Sequence, residues 1–159
     1  MDLCYETVTY TKVEPAVVKE HRRFFKNHVK RAFVRWCAYH HKLDAVLTRT
    51  ELEQAKKGSL PKDLDVHHII PLSGTYDPQV NEFFNLAILH KSTHKLINRE
   101  CFQPQLRQLQ DKPFGTELEI QVPIFQYVDT NNIIAARRGE QQNLKTLAKI
   151  QAMRAKYYR

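Results

Sequence analysis

The spacing of hydrophobic positions changes near the start of the chain, from every second residue to every third or fourth. Residues 3–13 are rich in β-branched and aromatic side chains that alternate weakly with polar ones, which predicts a strand ending before Pro15. Residues 17–47 contain no Gly or Pro, and their apolar residues recur every three or four positions with basic residues mostly between them. This pattern predicts one long helix over residues 17–47, or two helices separated near residues 39–41.

A short helix and a strand are predicted next. Thr50 precedes residues 51–57 and Gly58 follows them, so we expect a helix there with Thr50 as its N-cap. Residues 64–70 alternate enough for a strand, and Pro71 ends it because proline has no N–H to donate to a neighbouring strand.

A second strand and a helix are predicted after a loop. Turn-forming residues fill positions 73–84, and the apolar run at 85–89 predicts a buried strand. Ser92 is the expected N-cap of a helix that carries residues 94–98.

The pattern as a whole predicts a single domain of the α+β class. Residues 102–136 contain several prolines and a strand-like run at 118–127, and residues 144–153 predict an amphipathic helix whose other faces are basic. Three parts follow: an N-terminal strand and basic helical region at 1–62, a central segment at 63–101, and an irregular segment with a basic C-terminal helix at 102–159.

Composition excludes several classes of protein. With 159 residues, 42% of them hydrophobic and 26% charged, the chain can bury a core and is not wholly disordered. No apolar run approaches the ~18 residues of a membrane-spanning helix, and the first residues predict no secretory signal. The three cysteines lie far apart, which argues against a disulfide framework and suits a reducing compartment.

The positive charge is concentrated towards the two ends. Lys and Arg number 25 against 17 Asp and Glu, for a formal charge of +8. Residues 17–35 and 137–159 each carry a net charge of +6, whereas residues 36–136 carry −2. A near-neutral centre between basic arms favours a polyanionic partner, although two solvated helix faces would give the same pattern.

The central segment, residues 63–101, holds the candidate chemistry. Its informative positions are His67 and His68, Pro71, Gly74, Asn85, Leu86 and His94. In a strand, His67 and His68 point to opposite faces, so the two imidazoles cannot easily share one role. His94 and Asn98 are four residues apart on the predicted helix, hence on one face and about one turn apart.

These residues at these spacings resemble the HNH endonucleases, also called the ββα-metal or His-Me finger family. The resemblance covers 39 of the 159 residues, and everything outside them is interpreted from composition and periodicity alone. It implies an α+β fold with a ββα-metal core embedded in a mostly helical single domain. It also implies His67 and His94 as metal ligands, His68 as the general base that activates water, and Asn85 as the residue that holds the loop.

The third metal ligand is where this chain departs from the family. DNase colicins carry a second His four residues after the first helix His, whereas this chain has Asn98. We expect Asn98 to be the third ligand, with His90 as an alternative contact to metal or phosphate. The resemblance implies one divalent ion, and an amide oxygen favours Mg²⁺ or Mn²⁺ over Ni²⁺ or Zn²⁺.

Nucleic acid is the substrate that the resemblance implies. Phosphate contacts are expected from residues near the site and from the first basic arm, namely Lys91, Lys95, Arg99, Arg22, Arg23, Lys26, Lys30 and Arg31. We therefore expect a metal-dependent endonuclease that hydrolyses phosphodiester bonds in DNA with low sequence specificity. Two alternatives stay open: a catalytically degenerate nucleic-acid-binding or interaction module with the HNH fold, and an RNase with the same core.

The biological setting follows from the resemblance alone. The family includes DNase bacteriocin and effector toxin domains as well as standalone and defence nucleases. A toxin would have an acidic immunity protein as its partner. The expected site of action is the cytoplasm, reached in the toxin case by non-Sec delivery into another cell.

Overall fold

Two small sheets and a set of helices form the described part of the chain, residues 4–140 of a computed structural model. In chain order the elements are β1 (Cys4–Thr11), α1 (Pro15–Phe24), α2 (Lys30–Tyr39), α3 (Arg49–Ala55), β2 (Leu64–His68), β3 (Leu86–His90), α4 (Lys91–Leu96), α5 (Gln103–Leu106), β4 (Glu117–Ile124), β5 (Tyr127–Val128) and α6 (Thr130–Arg137). The architecture is mixed α+β, as the sequence predicts. The predicted helix at 144–153 lies outside the described residues. Within residues 4–140, no helix is long and apolar enough to cross a membrane.

The N-terminal strand and helix lie close to their predicted positions. Strand β1 pairs antiparallel with β4, from Cys4 opposite Ile124 to Thr11 opposite Glu117. Helix α1 begins at Pro15, which suits the first helical turn because its missing N–H would have no helical partner there.

Helices α1 and α2 run continuously through a π-helical turn at Phe25–Val29 and end at Tyr39. The prediction of helix as far as residue 47 is therefore wrong. His41 adopts a positive φ of 59°, and Leu43 and Val46 are buried by turns rather than by a helix. Their three-residue spacing looks helical in the sequence, although it results from packing of the turns against the core.

Helix α3 begins two residues earlier than predicted. Thr48, not Thr50, is its N-cap: its hydroxyl accepts a hydrogen bond from the Glu51 N–H, and the Glu51 carboxylate accepts one from the Thr48 N–H. This reciprocal capping box satisfies two helix-end donors at once, so it fixes the start of the helix.

The central hairpin separates two hydrophobic cores. Strands β2 and β3 are antiparallel, and β5 adds to β3 in parallel, giving the order β2-β3-β5. One face of the hairpin contributes Leu64, Val66, Leu86 and Ile88 to what we call the α2 core, with Phe33 and Val34. The other face contributes Ala87 and Leu89 to the β4 core, with Ile97, Ile120 and Val122.

The helix after β3 differs from the prediction at both ends. Its N-cap is His90, whose side chain accepts a hydrogen bond from the Ser92 N–H, so the expected Ser92 cap is wrong. The helix then continues through a second π-helical turn, Ile97–Phe102, into α5. Pro104 lies directly after this π-helical turn, in the first turn of α5, and the chain stays helical through it.

Arg137 has a structural role, which corrects its assignment to a phosphate-binding arm. Its guanidinium donates to the Glu51 carboxylate at 2.7 and 3.0 Å, to the Asp63 carboxylate at 2.9 and 3.0 Å, and to the Val46 carbonyl at 2.8 Å. These bonds hold α6 against the start of α3 and the segment before β2.

Replacing Arg137 with alanine is expected to lower the free energy of unfolding at neutral pH by about 2 kcal/mol, between the values for exposed and for buried ion pairs. Hydrogen bonds from Arg137 hold the pKa values of Glu51 and Asp63 below their ordinary range. Their stabilisation is therefore present above the unfolded-state pKa values, near 4, and is lost as pH falls through the folded-state values.

The difference in unfolding free energy between wild type and Arg137→Ala should accordingly be smaller in acid. Urea denaturation at neutral pH and below pH ~4 measures it. Arg138→Ala is the matched control, because Arg138 is 70% exposed and its ion pair with Glu140 is long, at 3.9 Å. An Arg137→Ala variant as stable as Arg138→Ala at neutral pH would contradict the structural role.

Candidate active site

A cavity of about 490 Å³ opens at the end of the central hairpin, and we call it the histidine pocket. Strand β2 contributes His67 and His68, and the helix after β3 contributes His94 and Asn98. Arg22 of α1 lies at its edge. The structure thus brings together four of the polar site residues that the sequence predicts, from β2 and from the helix that follows β3.

His67 and His68 occupy opposite faces of the hairpin, as strand alternation predicts. His67 is buried at 2% exposure among the aromatic rings of the β4 core, with Phe102 and Phe125 each 6.0 Å from its ring. His68 faces the α2 core, with its ring centre 4.5 Å from that of Phe25 in an edge-to-face arrangement. Both side chains reach the pocket, so one cavity receives two imidazoles in different environments.

The Nε2 atom of His67 is buried and has no hydrogen-bond partner within residues 4–140. Burial, followed by the neighbouring His94 and His68, moves the pKa of His67 well below its ordinary value, so the ring is neutral at pH 7. A buried polar atom without a partner costs roughly 1–3 kcal/mol, and stable proteins contain few of them. A neutral imidazole with a free nitrogen is the form that binds a metal ion.

His94 is oriented by a carboxylate. Its Nδ1 lies 3.1 Å from Oδ2 of Asp65, and its ring centre lies 5.2 Å from that of His67. Asp65 and His67 are two residues apart in β2, hence on the same face. Donation from Nδ1 to Asp65 leaves Nε2 of His94 as the nitrogen available to a ligand, an arrangement typical of metal-bound histidines.

On the other face of the hairpin, a hydrogen bond to Asn81 determines which ring nitrogen of His68 carries the proton. Asn81 donates from Nδ2 to the backbone carbonyl of His21 at 3.1 Å, which turns its Oδ1 towards His68 Nε2 at 2.8 Å. Because an amide oxygen only accepts, Nε2 of His68 carries the proton and Nδ1 carries the lone pair. Burial lowers the pKa of His68 to about 4, so the ring is neutral at pH 7.

Asn85, directly before β3, is hydrogen-bonded to the loop that joins β2 to β3. Its Oδ1 accepts from the Ile70 N–H at 2.8 Å, and its Nδ2 donates to the carbonyls of Ile70 and Val80 at 3.1 and 2.8 Å. Its own carbonyl accepts from the Ile69 N–H. These four bonds hold the chain directly after His68, which is the position that the resemblance implies for this residue.

The remaining predicted site residues lie outside the pocket, within the described part of the chain. His90 caps α4, with its Nε2 3.6 Å from Asp63, and does not line the cavity. Lys91, Lys95 and Arg99 are exposed and do not line it either, and Arg99 pairs with Glu100. These three stand on the exposed face of the helix, and their contact with a phosphate stays a prediction.

The first basic arm is partly used within the protein. Arg31 donates to the carbonyl of Lys57 at 2.9 Å, and Arg23 pairs with Glu20 on the surface. Lys26 and Lys30 are exposed on the helix that contains Arg22. Of this set, only Arg22 lines the histidine pocket.

Two polar residues of the site, Asp65 and Asn81, were not predicted from the sequence. Asp65 could have been found from the two-residue alternation that places it beside His67. Asn81 gives no comparable signal, since an Asn in a turn-rich segment is ordinary turn chemistry.

A metal ion fits the residues on the β4-core side of the pocket. No group of three or more His, Cys, Asp or Glu within residues 4–140 is placed to share one ion. The candidate ligands are therefore His67, His94 and the Asn98 amide, and the unpartnered Nε2 of His67 is the observation that favours them. Comparisons of the chain with protein-family models, with curated proteins and with solved structures return no match. The function is therefore argued from this geometry.

Proposed function

We propose that this protein is a metal-dependent endonuclease that hydrolyses phosphodiester bonds in DNA, with β2, β3 and α4 as a ββα-metal core. The observation that carries the proposal is that His67 and His68 are held in different states. His67 has a buried nitrogen without a partner and lies beside His94, which Asp65 orients. His68 has a fixed tautomer that leaves its basic nitrogen free. Both line one cavity with a cationic edge.

His68 is the proposed general base. Its Nε2 proton is held by Asn81, so Nδ1 is the nitrogen that accepts a proton from an attacking water. A low pKa keeps this nitrogen unprotonated at neutral pH. Accepting the proton makes the ring cationic, and the hydrogen bond from Nε2 to the Asn81 oxygen stabilises that cation.

His67, His94 and Asn98 are the proposed metal ligands. A divalent ion held by these three residues would supply positive charge against the phosphate and the departing oxygen. Asp65 holds His94 in its ligating orientation, and the aromatic rings around His67 exclude water from its free nitrogen. Arg22, at the edge of the pocket, is the residue placed to meet a phosphate oxygen.

A cleavage assay tests the proposal. Plasmid DNA and total RNA are incubated with the protein and Mg²⁺, Mn²⁺, Ni²⁺ or Zn²⁺, with and without EDTA. We expect nicking and linearisation of the plasmid that EDTA abolishes. Cleavage of RNA alone would replace the DNA substrate with RNA. Binding of nucleic acid without cleavage under every condition would favour a non-catalytic binding module.

Exchanging Asn98 for histidine is expected to change which metal binds best. An imidazole nitrogen in place of an amide oxygen should tighten binding of Zn²⁺ and Ni²⁺ by about tenfold or more, because these ions favour nitrogen ligands. Mg²⁺-supported turnover should fall or stay level, since Mg²⁺ is usually held through oxygen and water. Calorimetric titration of wild type, Asn98→His and Asn98→Ala with each metal measures the change.

The same titration of His28→Ala is the matched control, because His28 is exposed and does not line the pocket. Equal affinities for every metal in wild type, Asn98→His and Asn98→Ala would show that Asn98 is not a ligand.

A further inference from the structure

A second concave surface adjoins the histidine pocket, and we call it the α1 groove. It has a volume of about 420 Å³ and lies between β1 and α1, where Tyr10, Val13, Val18 and Lys19 line it. Arg22 and Ser73 line both the groove and the histidine pocket. A molecule bound at the reacting end of the pocket could therefore extend past these two residues into the groove.

The groove combines an apolar floor with a cationic rim. Val13 is buried and Val18 half-buried, whereas Lys19 and Arg22 are exposed. Lys12 also lines it, although its ammonium is already used, donating to the carbonyls of Leu109, Gln110 and Lys112. The free positive charge of the groove is thus supplied by α1, since no acidic residue within residues 4–140 forms an ion pair with Lys19 or Arg22.

The boundary between the two cavities is held in place. The Tyr10 hydroxyl and the Ser73 Oγ are hydrogen-bonded at 2.7 Å. A Cβ atom added to Gly74 would overlap the Tyr10 ring, so the loop after β2 packs directly on β1 at this point. The groove therefore has a fixed position relative to His68, as a specific subsite requires.

We propose that the α1 groove binds the nucleotide next to the scissile phosphate. Its apolar floor would receive the sugar and base, Lys19 would contact the flanking phosphate, and Arg22 would contact the phosphate shared with the histidine pocket. Proteins hold a single strand without reading its sequence through a positively charged groove and aromatic rings that contact the bases, and Tyr10 is the aromatic residue that lines this groove. This inference rests on the proposed nuclease function and names the direction in which the substrate strand leaves the active site.

Metal-free binding tests the groove separately from catalysis. Fluorescence anisotropy in EDTA gives the dissociation constants of labelled hexathymidylate and hexauridylate over a range of salt concentrations. Loss of one phosphate contact in Lys19→Gln should reduce the slope of log K against log salt by about 0.7. The matched control is Lys56→Gln, which removes an equal charge from an exposed site lining neither cavity. An unchanged slope in Lys19→Gln would overturn the proposal, and the two oligonucleotides show whether the groove accepts deoxyribose, ribose or both.

Turnover gives a second, independent measurement. Bis(p-nitrophenyl) phosphate contains one phosphodiester and no nucleoside, so it cannot occupy the groove as a nucleotide does. In Lys19→Glu, the loss of kcat/KM on an oligonucleotide should exceed the loss on this ester by about tenfold. Equal losses would overturn the proposal. If wild type cleaves neither substrate with any metal, the proposed function fails, while the metal-free slopes still decide whether the groove binds nucleotides.

Discussion

Replacing His68 with alanine is expected to lower the rate of strand cleavage by about 10²–10⁴-fold, the usual contribution of a general base. The imidazole is the only group at the α2-core side of the pocket with a fixed tautomer and a free basic nitrogen, within the described residues. Because His68 faces away from His67, metal affinity should be nearly unchanged. Plasmid nicking rates and calorimetric metal titration measure the two quantities.

His28→Ala is the matched control for this variant. His28 is exposed on the first π-helical turn and does not line the pocket, so its loss should leave cleavage within about twofold, inside the ±0.5 kcal/mol of surface substitutions. A His68→Ala protein that cleaves at the rate of His28→Ala would show that another group activates the water.

Asn81→Leu tests how the base is held. It removes the acceptor of the Nε2 proton, so both neutral tautomers of His68 should become populated. The ¹⁵N chemical shifts of the ring nitrogens distinguish them, and cleavage should fall by less than in His68→Ala. A single Nε2–H tautomer in Asn81→Leu would show that Asn81 does not position the base.

Replacing His67 with leucine should have opposite effects on stability and on metal binding. Leucine fills a similar space with no polar atom to satisfy, so the metal-free protein should gain roughly 1–3 kcal/mol of unfolding free energy, the cost of an unpartnered buried group. Metal at about 100 times its dissociation constant should stabilise wild type by ~2.7 kcal/mol and leave His67→Leu unchanged. Denaturant titrations with and without metal give both numbers.

His21→Leu provides the comparison. His21 is also buried, but its Nε2 donates to the Thr75 carbonyl at 2.9 Å, so the same substitution should lower stability. If His67→Leu is destabilised as His21→Leu is, or is still stabilised by metal, then His67 is an ordinary core histidine.

The region of the candidate site was more predictable from the sequence than the helices around it. The spacing from His67 to His94 fixes a strand, a loop, a strand and a helix within 28 residues, and each is present. Strand alternation alone places the two histidines on opposite faces. Short-range rules suffice there because the partners lie in one hairpin and the helix that follows it.

Contacts between residues far apart in the chain could not be predicted from the sequence. Arg137 looks like part of a basic arm until the fold brings Glu51 and Asp63 to it, 86 and 74 residues away. Lys91, Lys95 and Arg99 are near His94 in sequence and yet do not line the pocket, whereas Arg22 lines it from another helix. The position of a charge in the chain does not show which way it points once the elements have packed.

The opposite orientation of His67 and His68 also restricts how this protein can change in length. Moving β2 by one residue against β3 would exchange the two side chains between the cores, placing the free nitrogen among the α2-core residues and the base among the rings. An inserted or deleted residue in β2 should therefore abolish the proposed metal binding by His67 and the proposed base role of His68 together. The exposed turn at 76–79 carries no such restriction, and length variation among natural forms of this protein is expected to concentrate there.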